Sequence, residues 1–496
     1  MTNLKLEYIE EPNLLFANGQ KAKDPRDGLL LFGPFENKIC GKKNIGIIGP
    51  KRIRDEMKRY LDKIQKPIMN TDNAVARPNF PGIKAVFNIS FENRDIVEVD
   101  ISESSIRENL NFQDSYQRVY NLVDLFVREL KRYADTEELP IDIWLIVIPE
   151  DVYKYCRPKS HIPLTAESNK KTLKKKDRFS QDRFLFEDMQ NEFDSLRMAY
   201  NFDVDFHNQL KARLLEFKIV TQVIRESKII NDDSQKKFDT VKAWNISTAI
   251  YYKLGALPWK LGDIRNGVCY LGLVYKQLLF DNNRNNACCA AQMFLDSGDG
   301  MIFRGNIGPW WNPDKREFHL QKMDAEEIIT NTLESYKGKF GVYPKEVFIH
   351  SKTYFNDEEW AGFFNATKGK CKIIGVRIST LNPFKLYRNG KFCVPRGTLL
   401  RLNNNSCFLW TKGFITRFKT QIGLETPNPI KIDIIRGTED IHVVAKDILC
   451  LTKLNYNACI FGDGLPVTLK FADSIGEILT AGKNIDAKVL PFKHYI

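Results

Sequence analysis

The stretch that most constrains this chain is Ile141-Asp-Ile-Trp-Leu-Ile-Val-Ile148, apolar and β-branched almost without interruption. It has the length of a strand. An apolar strand lacking in–out alternation needs cover on both faces, which is the setting of a parallel sheet flanked by helices. Just upstream, apolar residues recur at three and four through Val119, Leu122, Val123, Phe126 and Leu130, predicting a helix with one buried face that Leu139-Pro140 ends. No apolar run approaches the ~20 residues of a membrane span. The first residues, Met1 to Glu11, lack the basic and long apolar regions of a secretory signal, so a cytoplasmic protein is expected.

The same α/β pattern continues downstream. Val204-Asp-Phe-His207 reads as a short strand, 208–217 as a helix, 218–224 as a strand and 242–253 as a helix, with Gly255 closing the unit. Beyond Gly267, Val268-Cys-Tyr-Leu-Gly-Leu-Val-Tyr275 reads as a buried strand, and Asp296-Ser-Gly-Asp-Gly300 as a turn between two further strands. Helix 324–337, strand 346–350 and helix 356–364 follow. Two α/β domains are the simplest account, and no internal repeat interrupts them.

Charge narrows the partners. Lys+Arg number 74 against 62 Asp+Glu in 496 residues, a net charge of +12, which favours nucleic acid or another polyanion. Six basic residues crowd between Asn169 and Arg178, a pattern that fits either a solvated loop or a backbone-binding one. Ten Cys occur without a C-x-x-C pair, as reduced buried thiols would. No G-x-G-x-x-G follows a strand and no P-loop occurs, so no NAD or ATP site is expected.

The candidate chemistry lies at the middle of the chain. Asn208 as an N-cap would put Lys211 in a first helical turn, where exposed N–H groups, the helix dipole and a full charge attract phosphate, with His207 beside it. Gln222 near the next strand's end and Lys253 at the following helix's end complete a cluster. Taken singly, each also suits an ordinary structural histidine or a solvated lysine. In series, however, His207-x-x-x-Lys211, Thr221-Gln222 and Ile250-x-x-Lys253-Leu-Gly255-x-x-Pro-Trp259 resemble the MID domain of Argonaute proteins. The resemblance implies a Rossmann-like MID domain whose pocket holds the 5′-phosphate of a guide strand with His207, Lys211, Gln222 and Lys253. Eukaryotic members carry one more Lys, where this chain has Ala249. In prokaryotic members a divalent cation bridges guide phosphates, Gln222 and the C-terminal carboxylate, here Ile496, which implies Mg2+ as cofactor.

The second half resembles PIWI, an RNase H-like domain in which about four carboxylate or His ligands hold two metals. At the matching positions stand Val274 after Leu271-Gly272-Leu273, Lys352 (or Ser351, one residue away) in Ile349-His-Ser-Lys-Thr353, and Asp473 in Phe471-Ala-Asp-Ser474. A lone carboxylate cannot hold two cations against their repulsion, so no catalytic residue is expected and the chain is not expected to be an enzyme. Asp296, Asp299, Asp357 and Glu358 read as turn and helix-start residues rather than a second metal site.

Full Argonautes carry further domains, whereas this length fits MID plus PIWI. Stretches such as Asp24–Pro34, Pro149–Pro158, Lys260–Arg265 and Leu451–Asn457 resemble short prokaryotic Argonautes that pair with a TIR-APAZ protein. The expected division is 1–110 as a linker-like region packed on MID and PIWI, 111–255 as MID and 256–496 as PIWI. The resemblance then implies a 5′-phosphorylated guide RNA, a single-stranded DNA target and a TIR-APAZ partner in a heterodimer. Target pairing would activate NAD degradation by that partner in defence against phage or plasmid. Sir2-APAZ or nuclease-APAZ effectors, or a nuclease with an unusual metal site, are the alternatives.

Overall fold

The computed structural model describes residues 5–39, 43–70, 75–92, 96–137, 139–163, 194, 197–230, 238–277, 287–295, 300–312, 316–421, 425–482 and 490–496. The first strand, β1 (Lys5–Tyr8), belongs to the larger of two main sheets. Strands β2 (Ile45–Gly49), β3 (Ile96–Asp100), β4 (Ile143–Ile148) and β5 (Thr221–Arg225) form the smaller one. Their order is β3-β2-β4-β5 and every pairing is parallel, a doubly wound arrangement.

All six residues of β4 are buried, as its composition predicts, and its two faces meet different helices. Leu145 and Val147 share a core with Met57 of α1 (Lys51–Ile64) and Ile250 of α4 (Asp239–Lys253). Trp144, Ile146 and Ile148 pack with Phe126 of α2 (Ser115–Thr136) and Leu210 of α3 (Phe206–Leu214). Glycine is required at Gly46, where a Cβ would fall 2.2 Å from the Trp144 ring.

The larger sheet contains β6 (Val268–Gln277), β7 (Ala287–Leu295), β8 (Gly300–Gly308), β9 (Glu346–Ser351), β10 (Lys372–Ser379), β11 (Thr398–Asn403), β12 (Ser406–Leu409) and β13 (Ile430–Arg436). It has nine strands in the order β1-β11-β12-β13-β10-β9-β6-β7-β8. Only β6–β9 and β9–β10 are parallel. The run β8-β7-β6-β9-β10 has the RNase H-like order. Helices α5 (Lys322–Phe340) and α6 (Asp357–Thr367) cover one face through Ile329, Leu333 and Phe363. On the other face lie α7 (Ile441–Leu451) and α8 (Val467–Leu479), with Ile448 and Ile475 against Tyr270 and Phe348. Helix α8 passes so close that a Cβ at Gly272 would sit 1.8 Å from the Thr468 carbonyl oxygen.

One apolar cluster runs from Ile47 through Trp244 and Trp259 to Ile448, so the two sheets share a core. Across the join, Trp259 Nε1 donates to Lys453 O (3.3 Å) and Tyr456 Oη donates to Trp259 O (2.9 Å).

Residues 1–110 are more than a linker-like region. They supply β2 and β3 to the smaller sheet and β1 to the larger. The five-residue run Ile45-Gly-Ile-Ile-Gly49 is too short to announce a central strand, and β3 mixes acids with Val and Ile because it is the sheet's edge. The basic run Lys170–Arg178 and the turn residues 296–299 lie outside the described residues. No helix among the described residues is long and apolar enough to cross a membrane.

Candidate functional site

Helix α3 starts earlier than its sequence suggests. Asp205, not Asn208, is its N-cap, with Oδ1 accepting from Asn208 N at 3.0 Å. Phe206 is drawn into the helix by burying its ring edge-on to Phe126 (centroids 5.5 Å apart). Val204–His207 is therefore not a strand, and Lys211 lies in the second turn rather than the first. The helix dipole does not bring Lys211 to its site; the reach of its own side chain does.

That side chain ends in a cluster built on one carbonyl oxygen. Lys211 Nζ donates to Thr221 O at 2.8 Å and to Ile496 O at 3.0 Å. Lys253 Nζ donates to the same Thr221 O at 2.8 Å and to Gln222 Oε1 at 2.7 Å. The two lysines are 2% and 1% exposed, and among the described residues no acidic side chain pairs with either. Thr221 and Gln222 open β5, so the cluster sits where that strand begins, not at the carboxyl edge of the sheet.

Two buried ammonium groups this close are costly unless an anion joins them. Burial lowers the Lys211 amine to about 7. It lowers Lys253 well below the usual lysine range, with Lys211 adding repulsion. His207 stands on the open side, accessible to solvent yet ringed by protein. Desolvation and then the Lys211 charge push it down to about 4.

The tail contributes more than Ile496. His494, 7% exposed, is lowered to about 4 by burial and then by Lys493 and Lys211, and its Nδ1 has no hydrogen-bond partner. Thr221 Oγ1 is likewise buried and unpartnered. The structure thus brings Lys211, Gln222, Lys253 and Ile496 together, places His207 at the rim, and adds Thr221 and His494. Neither addition is legible in the sequence, since one acts through a backbone carbonyl and the other arrives on a tail distant in the chain. An anion with several acceptor oxygens would meet these donors and favour the protonated lysines.

The second cluster forms where β6 and β9 end beside α8. Lys352, the residue just after β9, ion-pairs with Asp473 of α8, while Ser351 is buried with its Oγ against Thr353. Val274 of β6 packs against α8, its Cγ1 3.3 Å from where a Gly476 Cβ would be. Beside them Lys276 Nζ reaches Glu477 Oε1 at 3.0 Å. The three positions expected to carry metal ligands in an active RNase H-like site do converge, and they hold Val, Lys and Asp. Elsewhere, Asp357 ion-pairs with Arg436, and Asn356 caps α6 by accepting from Glu359 N at 2.8 Å. Asp296 and Asp299 lie outside the described residues. No group of three His, Cys, Asp or Glu suited to a metal occurs among the described residues.

No protein-family model matches the chain. An argonaute protein of Aquifex aeolicus is 24% identical over 281 residues, covering 55% of this chain and 36% of that relative. Among solved structures, Clostridium butyricum Argonaute bound to a guide DNA and a 19-mer target DNA superposes with a TM-score of 0.64 at 19% identity. That match covers 99% of this chain and 55% of the other. The fold is that of Argonaute MID and PIWI domains. Drosophila Piwi matches with a TM-score of 0.57 at 13% identity, over 99% of this chain and 56% of its own. The chain spans about half the length of the solved Argonautes it matches. In Argonaute terms the lysine cluster belongs to the MID-like sheet and the Lys352–Asp473 pair to the PIWI-like one.

Proposed function

We propose that this protein is a guided nucleic-acid binder that anchors the 5′-phosphate of a guide RNA at Lys211, Lys253, Gln222 and His207. A single observation carries the proposal: two buried lysine amines share the Thr221 carbonyl and, among the described residues, pair with no acidic side chain, Lys211 also reaching the Ile496 oxygen. A phosphate would supply the negative charge that favours both amines protonated. Gln222 Oε1 and the Ile496 oxygen suit a hard cation such as Mg2+. Each now accepts from a lysine; Gln222 and Ile496 would hold such a cation, which would supply positive charge against the guide's phosphates.

The paired strand is single-stranded DNA, read by base pairing while the protein holds backbone and shape, and the net charge of +12 favours that contact. We further propose that the chain does not cut its target. Asp473 is engaged by Lys352, and Val274 offers no ligand, so a two-metal centre has nothing to hold it. The output then passes to a separate effector, a TIR-APAZ protein in a heterodimer. Support for that partner is the likeness of Asp24–Pro34, Pro149–Pro158, Lys260–Arg265 and Leu451–Asn457 to short Argonautes of that type.

The test compares one short RNA carrying a 5′-phosphate or a 5′-hydroxyl. Phosphate should tighten binding at least tenfold, about 1.4 kcal/mol. Equal affinities would refute the pocket. Labelled target incubated with guided protein and Mn2+ should remain intact, and cleavage lost on Asp473→Asn would establish a nuclease instead.

A further inference from the structure

The tail that reaches the lysine cluster has a second face. Phe492–His494 is a single 3-10 turn, so its successive side chains point in different directions. His494 and Ile496 turn toward Lys211, while Lys493 lies on the other side, its Nζ 3.7 Å from where a Gly255 Cβ would be. There a cleft of about 560 Å3 opens between the end of α4 and the tail, within the size range of small-molecule sites.

Tyr252, Ala256 and Leu257 line this cleft from the α4 side, and Leu490 and Phe492 line it from the tail. Both walls are held by aromatic contacts. Phe492 sits edge-on to Phe294 of β7 and Phe471 of α8, with centroids 5.8 and 5.2 Å apart, and Tyr252 stacks on Tyr456 at 4.6 Å. Gly300 of β8 lets the backbone approach these rings, since a Cβ there would fall 3.1 Å from Phe294 Cε1 and 3.4 Å from Phe492 Cβ.

The charged groups at the cleft differ in what they already hold. Glu36 Oε1 accepts from Lys38 Nζ at 3.0 Å and Oε2 from Leu257 N at 3.1 Å. Lys493 is half-buried, and among the described residues its Nζ makes no hydrogen bond or ion pair; burial and then the Lys43 charge lower its amine. Asp142, the carboxylate whose charge acts on it, is engaged by Lys43 (3.6 Å) and by Asn44 N (3.0 Å). Lys339 at the end of α5 adds a second positive charge to the lining. An ammonium beside apolar walls is best met by one negative charge on an apolar body, and the Tyr252 and Phe492 rings favour a planar one.

We propose that this cleft binds a small aromatic carboxylate, its ring among Tyr252, Leu257 and Phe492 and its carboxylate on Lys493 Nζ. Inorganic phosphate or a bare carboxylate would leave the apolar walls unused, so the ring and the charge are both required. The site lies behind the tail from the lysine cluster, and the proposal does not depend on the guided-binder reading.

The experiment titrates the full chain, without RNA, with 1-naphthylacetate by calorimetry. Three controls accompany it: 1-naphthylmethanol, which lacks the charge, acetate, which lacks the ring, and inorganic phosphate. The aromatic carboxylate should bind saturably and about tenfold or more tighter than any control. Lys493→Met keeps the stem and removes the ammonium, and should weaken that binding by about tenfold or more, whereas Lys493→Arg, which keeps the charge, should retain most of it. Absence of saturable binding, equal affinity for the alcohol, or wild-type affinity in Lys493→Met would each overturn the proposal. Because no guide is present, such a failure leaves the guided-binder reading untouched, and equal binding of 5′-phosphate and 5′-hydroxyl RNA would refute that reading while leaving this site standing.

Discussion

The MID-like and PIWI-like sheets each gather two lysines, yet they treat the charge in opposite ways. In the MID-like pocket, Lys211 and Lys253 are buried against a carbonyl, an amide oxygen, the Ile496 oxygen and each other. On the PIWI-like edge, Lys276 and Lys352 are solvated and each has a carboxylate. Burial lowers both amines and an anionic ligand would raise them again, so the first cluster suits such a ligand. Exposed and compensated charge has a small effect on stability, so the second is free to trade partners.

The contrast breaks most easily at the pocket. Lys211→Ala or Lys253→Ala should reduce the affinity for 5′-phosphorylated RNA by about 1.5 to 3 kcal/mol, while 5′-hydroxyl RNA binds almost as before. An equal loss for both RNAs, measured by titration, would show that the lysines merely add general positive charge.

The same burial should make the pocket a liability in the free protein. Lys211→Met keeps the stem and removes the buried amine, and should raise the unfolding free energy by about 1 to 2 kcal/mol. Denaturant melts without guide would read this, and destabilisation would mean that the hydrogen bonds to Thr221 and Ile496 outweigh desolvation.

At the seam between the two regions, Asp205 is raised from 3.8 to about 6 by burial, with Asp203 and Glu477 nearby adding like charge. The folded state therefore holds a proton between about pH 4 and 6 that the unfolded chain releases. Stability from this proton is full below pH 4 and is lost as the pH rises through 6. Asp205→Asn keeps the N-cap and removes the charge. It should flatten the pH dependence of stability in that window by an amount on the order of 1 kcal/mol, and an unchanged profile would place the titration elsewhere.

The smallest effect belongs to the PIWI-like edge. Lys352→Ala should shift stability by roughly 0.5 kcal/mol or less, as exposed pairs usually do. A loss of several kcal/mol in calorimetry would mean that the pair braces α8 on the sheet and has a structural role.

Much of the fold was legible before any coordinates. The continuous apolar run at 141–148 foretold a parallel strand covered on both faces, and β4 is one. The 3-and-4 spacing from Val119 to Leu130 foretold α2, though not its length, because its ends at Ser115 and Thr136 are polar. Signals failed where short range competes with long range. Asp205 and Asn208 are both good caps, and packing of Phe206 on Phe126 decided between them. Strands β2 and β3 carry little local signal because one is five residues long and the other is an edge.

What the sequence determined alone is the α/β class, the positive balance, the order His207, Lys211, Gln222, Lys253, and the lack of acids at Val274 and Lys352. These are properties of residue type and local spacing, which survive without knowing how the chain turns. Only the tertiary structure decided that Lys211 and Lys253 share the Thr221 oxygen, that the tail brings Ile496 and His494 to them, and that Lys352 finds Asp473. Those partners lie up to 285 residues apart. Burial and the pKa shifts that follow from it depend on which surfaces meet, and that is fixed by the shared core of the two sheets rather than by any local stretch of chain.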